Sequence, residues 1–493
     1  MLNKITPERA GIRSALVEKY ISRLEKRQIH MHSVLMARGN DLFCEAYWKP
    51  FSADKPHRMY SVTKSFMSVA IGLCVQDGLI DLDAPIASYF EDKLDTPICK
   101  NLAEQTVRQM LTMTTTGFGV SWFSETDPDR THFYFTDIGE RHCAGTVWGY
   151  DSAGSQVLSS LVERVTKKRL FDYLNERIFT HLDAFKDAKI LQTRNGDSWG
   201  DSAMICTSRD LLTFMRFVKC LGEWNGKRLM NEDYLRLATT KQVCNITSPH
   251  YQSTHHGYGY QFWITEQGAF AMVGMGDQLA ICVPEKDFIF VCTADNQGNE
   301  NAREYIIEGL FDIVVDNLED TPLDENEKDS RRLSELCDSL ELFAIKGEYD
   351  SPLRNEINGV TYECDKSSSG LKSFKFDFKN ENEGILTYEK ENGVMTLPFY
   401  VNKNRFVKFP ELGYSKERGG IRTTDGFKYD SAISLAWTDK NKIVIVAQII
   451  DEYLGNAFMS FCFRGDNCTV SLDHTAEDFL WEYKGYTNAR RRL

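Results

Sequence analysis

Two groups of strand-like segments, widely separated in the sequence, constrain the fold of this chain most. Residues 31–37 and 42–48 have the composition of strands, and Arg38-Gly39-Asn40-Asp41 between them predicts a hairpin. A second group of strand-like runs comes much later, at 258–264, 269–273, 278–283 and 288–293. Apolar residues recur at helical spacing elsewhere, in 11–28, 62–76, 105–113, 153–168, 170–179, 208–221 and 302–317. Strands at both ends with helices between them predict an α+β domain: one antiparallel sheet closed by its ends, flanked by helices, plus an all-helical region.

The character of the sequence changes after residue 318. Residues 319–329 are acidic and poor in apolar side chains, which predicts a linker with a short helix over 319–344. Short strand-like runs separated by turn residues follow, at 374–378, 385–388, 394–397, 433–437, 443–449, 457–463 and 469–472. The sequence therefore predicts a first domain over 1–318, the linker, and a β-rich C-terminal domain over 345–493, built as a small barrel or a sandwich.

Charge and composition exclude some classes of partner. The net charge is −13, and no basic block is long enough to follow a phosphate backbone, which argues against nucleic-acid binding. The first residues lack the apolar core of a signal peptide, and no run approaches the ~20 apolar residues of a membrane-spanning helix. The thirteen cysteines include no C-x-x-C pair, which is typical of reduced thiols in the cytosol. We expect a cytoplasmic protein with no metal, no cofactor and no membrane partner; the oligomeric state is left open.

Ser61-Val62-Thr63-Lys64 is the motif on which the functional interpretation depends. A serine and a lysine three residues apart fall on one face of a helix, so the amine can take the proton of the hydroxyl. The same spacing occurs at Ser52/Lys55 and Ser369/Lys372, but the first runs into a proline and the second lies in a Ser/Gly-rich turn. Apolar residues at helical spacing follow only Ser61. We therefore predict Ser61 as a nucleophile and Lys64 as its base; the alternative is an N-cap serine followed by a surface lysine.

Two other segments could complete such a site. Tyr150, ahead of a predicted helix, could carry a proton to the leaving group, and Ser152 could hydrogen-bond Lys64 or the substrate. Gly274 and Met275 lie between two predicted strands, where a glycine lets the backbone approach a ligand and donate to an oxyanion. Taken singly, the tyrosine also fits a packing role, and the glycine also fits a tight hairpin.

In combination, these segments resemble the serine β-lactamase-like superfamily, which includes penicillin-binding proteins, class C β-lactamases, esterases and amide hydrolases. The resemblance covers roughly residues 1–316. It is carried by five stretches: HRMYSVTKSF at 57–66, GLIDLDAP at 78–85, VRQMLTMTTTG at 107–117, YDS at 150–152 and VPEKD at 283–287. It implies a β-lactamase/transpeptidase-like fold and an oxyanion hole formed by the N–H groups of Ser61 and of the residue after Gly274, which is Met275.

Two departures from the family pattern bear on the substrate. Ser152 stands where the family usually has the asparagine of Tyr-x-Asn. The third motif, Lys-Thr-Gly or His-x-Gly in the family, reads Met272-Val273-Gly274 and has no cation to hold a substrate carboxylate. Both features are more similar to esterases and 6-aminohexanoate-dimer hydrolases than to β-lactamases. Large aromatic residues are predicted to line the pocket: Trp122, Phe123, Trp148 and Trp199.

The sequence thus predicts a serine hydrolase that cleaves a small ester, amide or peptide-like substrate through an acyl-enzyme. Within the superfamily, β-lactamase and D-aminopeptidase activities are the alternatives. A binding protein with the same fold and no turnover is a second possibility, which the altered motifs favour. A third is a ligand-binding barrel in the C-terminal half.

Overall fold

The structure is a computed structural model that describes residues 2–94, 97–117, 127–136, 141–246, 253–420, 426–476, 480 and 483–492. The chain forms two compact units. The first comprises Met1–Glu341 with Glu417–Gly419, and the second comprises Leu342–Lys416 with Gly420–Leu493. Within the ranges given, no helix has the length and apolar character needed to cross a lipid bilayer.

An eight-stranded sheet forms the centre of the first unit. Its strands lie in the order Asn3–Lys4, Asp41–Tyr47, Met31–Arg38, Phe288–Ala294, Gln278–Val283, Phe270–Gly274, Trp263–Ile264 and Gly257–Tyr258. Only the first pairing, between Asn3–Lys4 and Asp41–Tyr47, is parallel. Phe288 pairs with Arg38 and Cys292 with Val34, so the early hairpin and the late strands meet in the middle of the sheet. This arrangement confirms the predicted antiparallel sheet closed by its two ends.

Helices pack on this sheet and form a helical region beside it. The longer ones are Ser14–Lys26, Thr63–Gln76, Val107–Leu111, Arg130–Thr136, Ser152–Thr166, Leu170–Leu174, Ser208–Lys219, Glu232–Ala238 and Ala302–Ile313. The predicted helix over 170–179 changes character at Asn175, where a π-helical turn runs to Phe179. Helix Thr63–Gln76 is buried on every face from Thr63 to Cys74, so it forms the centre of the largest hydrophobic core.

The acidic stretch leads into a regular helix, Glu327–Ser339, capped by the Asn326 side chain. This helix packs against helix Ser14–Lys26, where Arg332 Nη2 lies 2.9 Å from Glu18 Oε2. Leu333 of this helix is buried. The helix therefore belongs to the first unit.

The second unit is a closed barrel of nine strands. In order around the barrel they are Gly393–Val401, Glu383–Lys390, Ser373–Phe378, Thr361–Cys364, Gly485–Arg491, Asn467–Ala476, Leu454–Arg464, Lys442–Ile450 and Asp430–Asp439. The ring closes by a parallel pairing of Tyr400 with Ser434 and Val401 with Leu435. A tenth strand, Arg405–Lys408, pairs with Asp430–Asp439 outside this ring. Of the two architectures predicted for this half, the structure has the barrel.

The second unit contains a buried ion pair. Lys390 Nζ lies 2.9 Å from Glu411 Oε1, and both side chains are almost completely buried. Tyr388 OH donates to the same carboxylate at 3.1 Å, Tyr483 OH donates to it as well, and the Lys390 ammonium lies over the Tyr483 ring. This polar cluster could not be predicted from the sequence, because its members are scattered over separate strands and loops.

Candidate active site

A short strand and a 3-10 turn place Ser61 at the start of the central helix. Residues His57–Arg58 pair with Met204–Cys206, and Met59 N donates to Met204 O at 2.8 Å. The turn Tyr60–Val62 follows and runs into helix Thr63–Gln76. Tyr60 has a φ of 47°, an uncommon conformation for a residue with a side chain. Ser61 therefore lies in a tight turn just before the helix and is only partly buried.

Lys64 lies beside Ser61, as the motif predicts. Its Nζ is 3.1 Å from Ser61 Oγ, and the side chain is only 2% exposed. The same Nζ donates to the backbone carbonyl of Asp201 at 2.9 Å and lies 3.6 Å from the Asp201 carboxylate. This amine is thus held by fixed partners in the protein interior, and the alternative of a surface lysine does not apply.

Tyr150 approaches the same lysine from the loop before helix Ser152–Thr166. Its ring centroid lies 5.0 Å from Lys64 Nζ, and the side chain is 41% exposed. The Asp151 carboxylate caps the helix by accepting from Gly154 N at 2.8 Å, which fixes the loop next to Tyr150. Tyr150 therefore combines contact with Lys64 and access to solvent.

Tyr150 also belongs to an aromatic cluster, defined here as Trp148, Tyr150, Tyr258 and Trp263. The Tyr150 and Trp263 rings stack with centroids 5.6 Å apart and planes 23° apart. Trp263 meets Tyr258 and Trp148 edge to face, at 5.1 and 5.7 Å. Tyr150 is thus supported by Trp263, which is itself partly exposed.

The end of strand Phe270–Gly274 touches the turn that carries Ser61. A Cβ atom at Gly274 would lie 2.4 Å from the carbonyl oxygen of Met59, so only glycine allows this approach. Met275 comes next in the chain, and its carbonyl accepts from Gln278 Nε2 at 2.9 Å. The glycine-containing strand end is therefore built against the Ser61 turn.

The remaining predicted residues lie as follows. Ser152 is the first residue of its helix and, in the part of the chain that the structure describes, makes no hydrogen bond to Lys64. Trp148 is almost buried in the aromatic cluster, and Trp199 is buried against the guanidinium groups of Arg58 and Arg130. The predicted pocket residues Trp122 and Phe123 lie outside the described residues.

A buried histidine pair includes His57, at the start of the strand that leads into the Ser61 turn. His57 Nδ1 is 2.9 Å from the carbonyl oxygen of Arg58, which can only accept, so Nδ1 carries the proton. His57 Nε2 must then accept from His32 Nδ1, 2.7 Å away. Burial lowers the pKa of His57 to about 4, and burial also holds the pKa of His32 well below its ordinary value. Both imidazoles are therefore neutral at neutral pH.

Two residues of the candidate site, Asp201 and Trp263, were not predicted from the sequence. Burial raises the pKa of the Asp201 carboxyl, whereas Lys64, Arg130 and Arg58 oppose that rise by favouring the anion. Asp201 lies in a loop, where an aspartate usually marks a turn, and no spacing ties it to Lys64. Trp263 fell within a predicted strand, where an aromatic residue is ordinary.

The sheet with its flanking helices, and the buried Lys64 beside Ser61 at the start of the central helix, together define the serine β-lactamase-like class, which confirms the resemblance seen in the motifs. The chain belongs to the β-lactamase family, whose sequence profile matches residues 17–312.

Two known proteins illustrate the relationship. The 6-aminohexanoate-dimer hydrolase of Paenarthrobacter ureafaciens is 26% identical over 314 residues, covering 58% of this chain and 78% of that protein. The structure of a penicillin-binding protein homologue from Caulobacter crescentus superposes with a TM-score of 0.50 at 16% identity, covering 61% of this chain and 97% of that one. The second similarity supports the fold alone.

Proposed function

We propose that this protein is a serine hydrolase that cleaves an ester or amide by acyl transfer. The observation that carries the proposal is the 3.1 Å contact between Lys64 Nζ and Ser61 Oγ in a buried setting. A lysine within hydrogen-bond reach of a serine can accept its proton as the oxygen attacks a carbonyl carbon. Ser61 is then the nucleophile and Lys64 the base.

The other groups have complementary roles. Tyr150, in contact with Lys64 and open to solvent, passes the proton to the leaving group as the tetrahedral intermediate collapses. Water then hydrolyses the acyl-enzyme, activated by the same Tyr150–Lys64 pair. The oxyanion is bound by the N–H groups of Ser61 and Met275, the second of which follows the close approach of Gly274 to the Met59 carbonyl. Ser152 lies near enough in sequence to Tyr150 to contact a bound substrate.

The substrate we propose is a small ester or a linear amide. The third motif, Met272-Val273-Gly274, supplies no cation for the carboxylate of a β-lactam. A relative at 26% identity is called a 6-aminohexanoate-dimer hydrolase, which supports amide cleavage. We expect turnover of a p-nitrophenyl ester or an aminoacyl amide, and slow or no turnover of a chromogenic cephalosporin.

Covalent labelling tests the proposal. Intact-mass analysis after incubation with a fluorophosphonate should show one adduct, absent from Ser61→Ala. Ser369→Ala is the matched control, because Ser369 has the same spacing to a lysine but lies in a turn and should leave labelling unchanged. The proposal would be refuted if the wild-type protein formed no adduct, or if Ser61→Ala still formed one. In that case a binding protein without turnover becomes the better interpretation.

A further inference from the structure

We propose that Asp201 is a positioning residue of this site: it fixes the Lys64 amine against Ser61, holds the ammonium form, and thereby sets the acidic limb of the pH–rate profile. This inference rests on the proposed acyl-transfer function. It concerns a residue outside the serine, lysine and tyrosine motifs.

The geometry shows two separate contacts from one residue to one amine. Lys64 Nζ donates to the backbone carbonyl of Asp201 at 2.9 Å and lies 3.6 Å from its Oδ2, within the range of an ion pair. An ammonium group has three N–H donors. The carbonyl takes one, the carboxylate faces another, and Ser61 Oγ, at 3.1 Å, lies within reach of the third. Asp201 therefore directs the amine toward the nucleophile.

The loop that carries Asp201 is itself fixed. Arg58 Nε donates to the carbonyl of Ser202 at 2.8 Å, and Ala203 N donates to the carbonyl of Trp199 at 3.0 Å. Both Arg58 and Asp201 are fully buried. Since Arg58 lies in the strand that leads to Ser61, nucleophile and carboxylate are attached to the same rigid part of the first unit.

Burial raises the pKa of the Asp201 carboxyl, and the cations around it oppose that rise by favouring the anion. Arg58 and Arg130 act on this carboxylate in addition to Lys64, and guanidinium groups do not lose their protons in proteins. The Tyr150 ring also contacts the amine, and Lys64 acts electrostatically on the Asp151 carboxyl, whose own pKa is raised by burial. The Asp201 carboxylate is thus in ion-pair contact with the amine. Removing its charge should make the ammonium form of Lys64 less stable.

Ser152 does not hold the Lys64 amine in place. The sequence left two partners open for Ser152, Lys64 or the substrate, and among the described residues it makes no hydrogen bond to Lys64. The backbone and carboxylate of Asp201 hold the amine instead.

The pH dependence of Ser61 labelling tests the inference. The second-order rate with the fluorophosphonate, and kcat/KM for a p-nitrophenyl ester, are measured from acid to alkaline pH. In Asp201→Asn we expect the acidic limb to move to lower pH by about one unit or more, since an opposite charge at this distance shifts proton release by about that amount. The maximum rate of the pH profile should also fall in this variant, because the Lys64 amine is less well oriented.

Three further variants make the result decisive. Asp201→Glu keeps the charge and should keep the acidic limb in place with a lower plateau. Asp201→Ser removes the charge without adding an amide; it should reproduce the shift, and it replaces Asp201→Asn if that variant does not fold. Glu8→Gln is the matched control: Glu8 is a buried carboxylate that accepts from Ser14 N and Oγ at 2.7 and 2.8 Å, away from the site motifs. It should leave the profile unchanged.

The possible outcomes separate the two proposals. A wild-type protein that is not labelled at any pH refutes the acyl-transfer function itself. Labelling of the wild type with an unmoved limb in Asp201→Asn or Asp201→Ser refutes the role of Asp201 alone. A limb that moves to higher pH also refutes it, because the carboxylate would then destabilise the ammonium.

Discussion

The neutral pair of His32 and His57 predicts that the first unit loses stability in mild acid. Burial lowers the pKa of His57 to about 4, against 6.5 for an ordinary imidazole. The unfolded chain therefore binds a proton at His57 near pH 6.5, whereas the folded chain binds it only near pH 4. The stabilisation is complete above pH 6.5 and is lost as the pH falls toward 4. Lys55 opposes protonation of both imidazoles, and His57 and His30 oppose that of His32.

The size of the effect follows from the interval between the two pKa values. At pH 5 the unfolded imidazole is almost fully protonated, whereas the folded one is still mostly neutral. The interval from 6.5 to 5, at about 1.4 kcal/mol per unit, makes the free energy of unfolding about 2 kcal/mol smaller at pH 5 than at pH 8. His32, whose pKa is also lowered, adds to the loss in the same direction.

Amide hydrogen exchange measures the stability of the first unit separately from that of the barrel, and it is the assay for this prediction. The free energy of opening is measured for amides of strand Met31–Arg38 at pH 8 and pH 5, in the wild type and in His57→Gln. The glutamine Oε1 can accept from His32 as Nε2 does, so this variant should lose about 2 kcal/mol of the pH dependence. His181→Gln, at an exposed position, is the control and should behave like the wild type. An NMR titration of His57 near 6.5, or an unchanged pH dependence in His57→Gln, would refute the reasoning.

Three substitutions test other parts of the structure. Gly274→Ala places a Cβ 2.4 Å from the Met59 carbonyl, so the strand end must move and kcat/KM for an ester should fall about 100-fold. Trp263→Ala removes the indole from the aromatic cluster and should lower kcat/KM about 3- to 10-fold, since aromatic pairs contribute about 0.5–1.5 kcal/mol. Glu411→Gln removes the carboxylate at 2.9 Å from buried Lys390 and should lower the free energy of unfolding of the barrel by about 3 kcal/mol or more, measured by hydrogen exchange in its strands.

Each of these has a matched control. Gly309→Ala lies within helix Ala302–Ile313, where the new Cβ would lie 3.3 Å from the Arg23 side chain and 3.4 Å from the Tyr20 ring, with no backbone atom as close, and activity should not change. Trp224→Ala removes a ring packed on Arg216, outside the aromatic cluster. Glu383→Gln breaks a partly exposed pair with Arg405 and should cost about 1 kcal/mol or less. An effect in a control equal to that in its partner would contradict the explanation given for that partner.

Much of the fold could be predicted because its elements are set by local patterns. The hairpin of Met31–Arg38 and Asp41–Tyr47 shows in turn residues between two apolar runs. The central helix shows in the apolar spacing after Ser61, which also distinguished this serine from Ser52 and Ser369. Lys64 followed from the same helix geometry, since three residues bring two side chains to one face.

The rest depends on contacts between distant parts of the chain. Asp201 meets Lys64 across 137 residues of sequence, and His32 meets His57 across 25 residues that include the strand Asp41–Tyr47. The barrel closes by a parallel pairing of Tyr400 with Ser434. Parallel strands are not joined by a short hairpin turn, so the sequence has no turn residues that predict this pairing. The strand Thr361–Cys364 and the outer strand Arg405–Lys408 were missed because short strands acquire their structure from the neighbours they pair with.

The pairing of Met31–Arg38 with Phe288–Ala294 has a consequence for synthesis of the protein in the cell. Arg38 cannot meet its partner Phe288 until roughly 250 more residues have left the ribosome, which takes about 10–50 s at ordinary translation rates. Throughout that time the hairpin of Met31–Arg38 and Asp41–Tyr47 has an open edge of unpaired backbone groups, a surface to which other chains can add. We expect the nascent first unit to need a chaperone until Ala294 emerges, and its yield to depend on how quickly the second half of the sheet is translated.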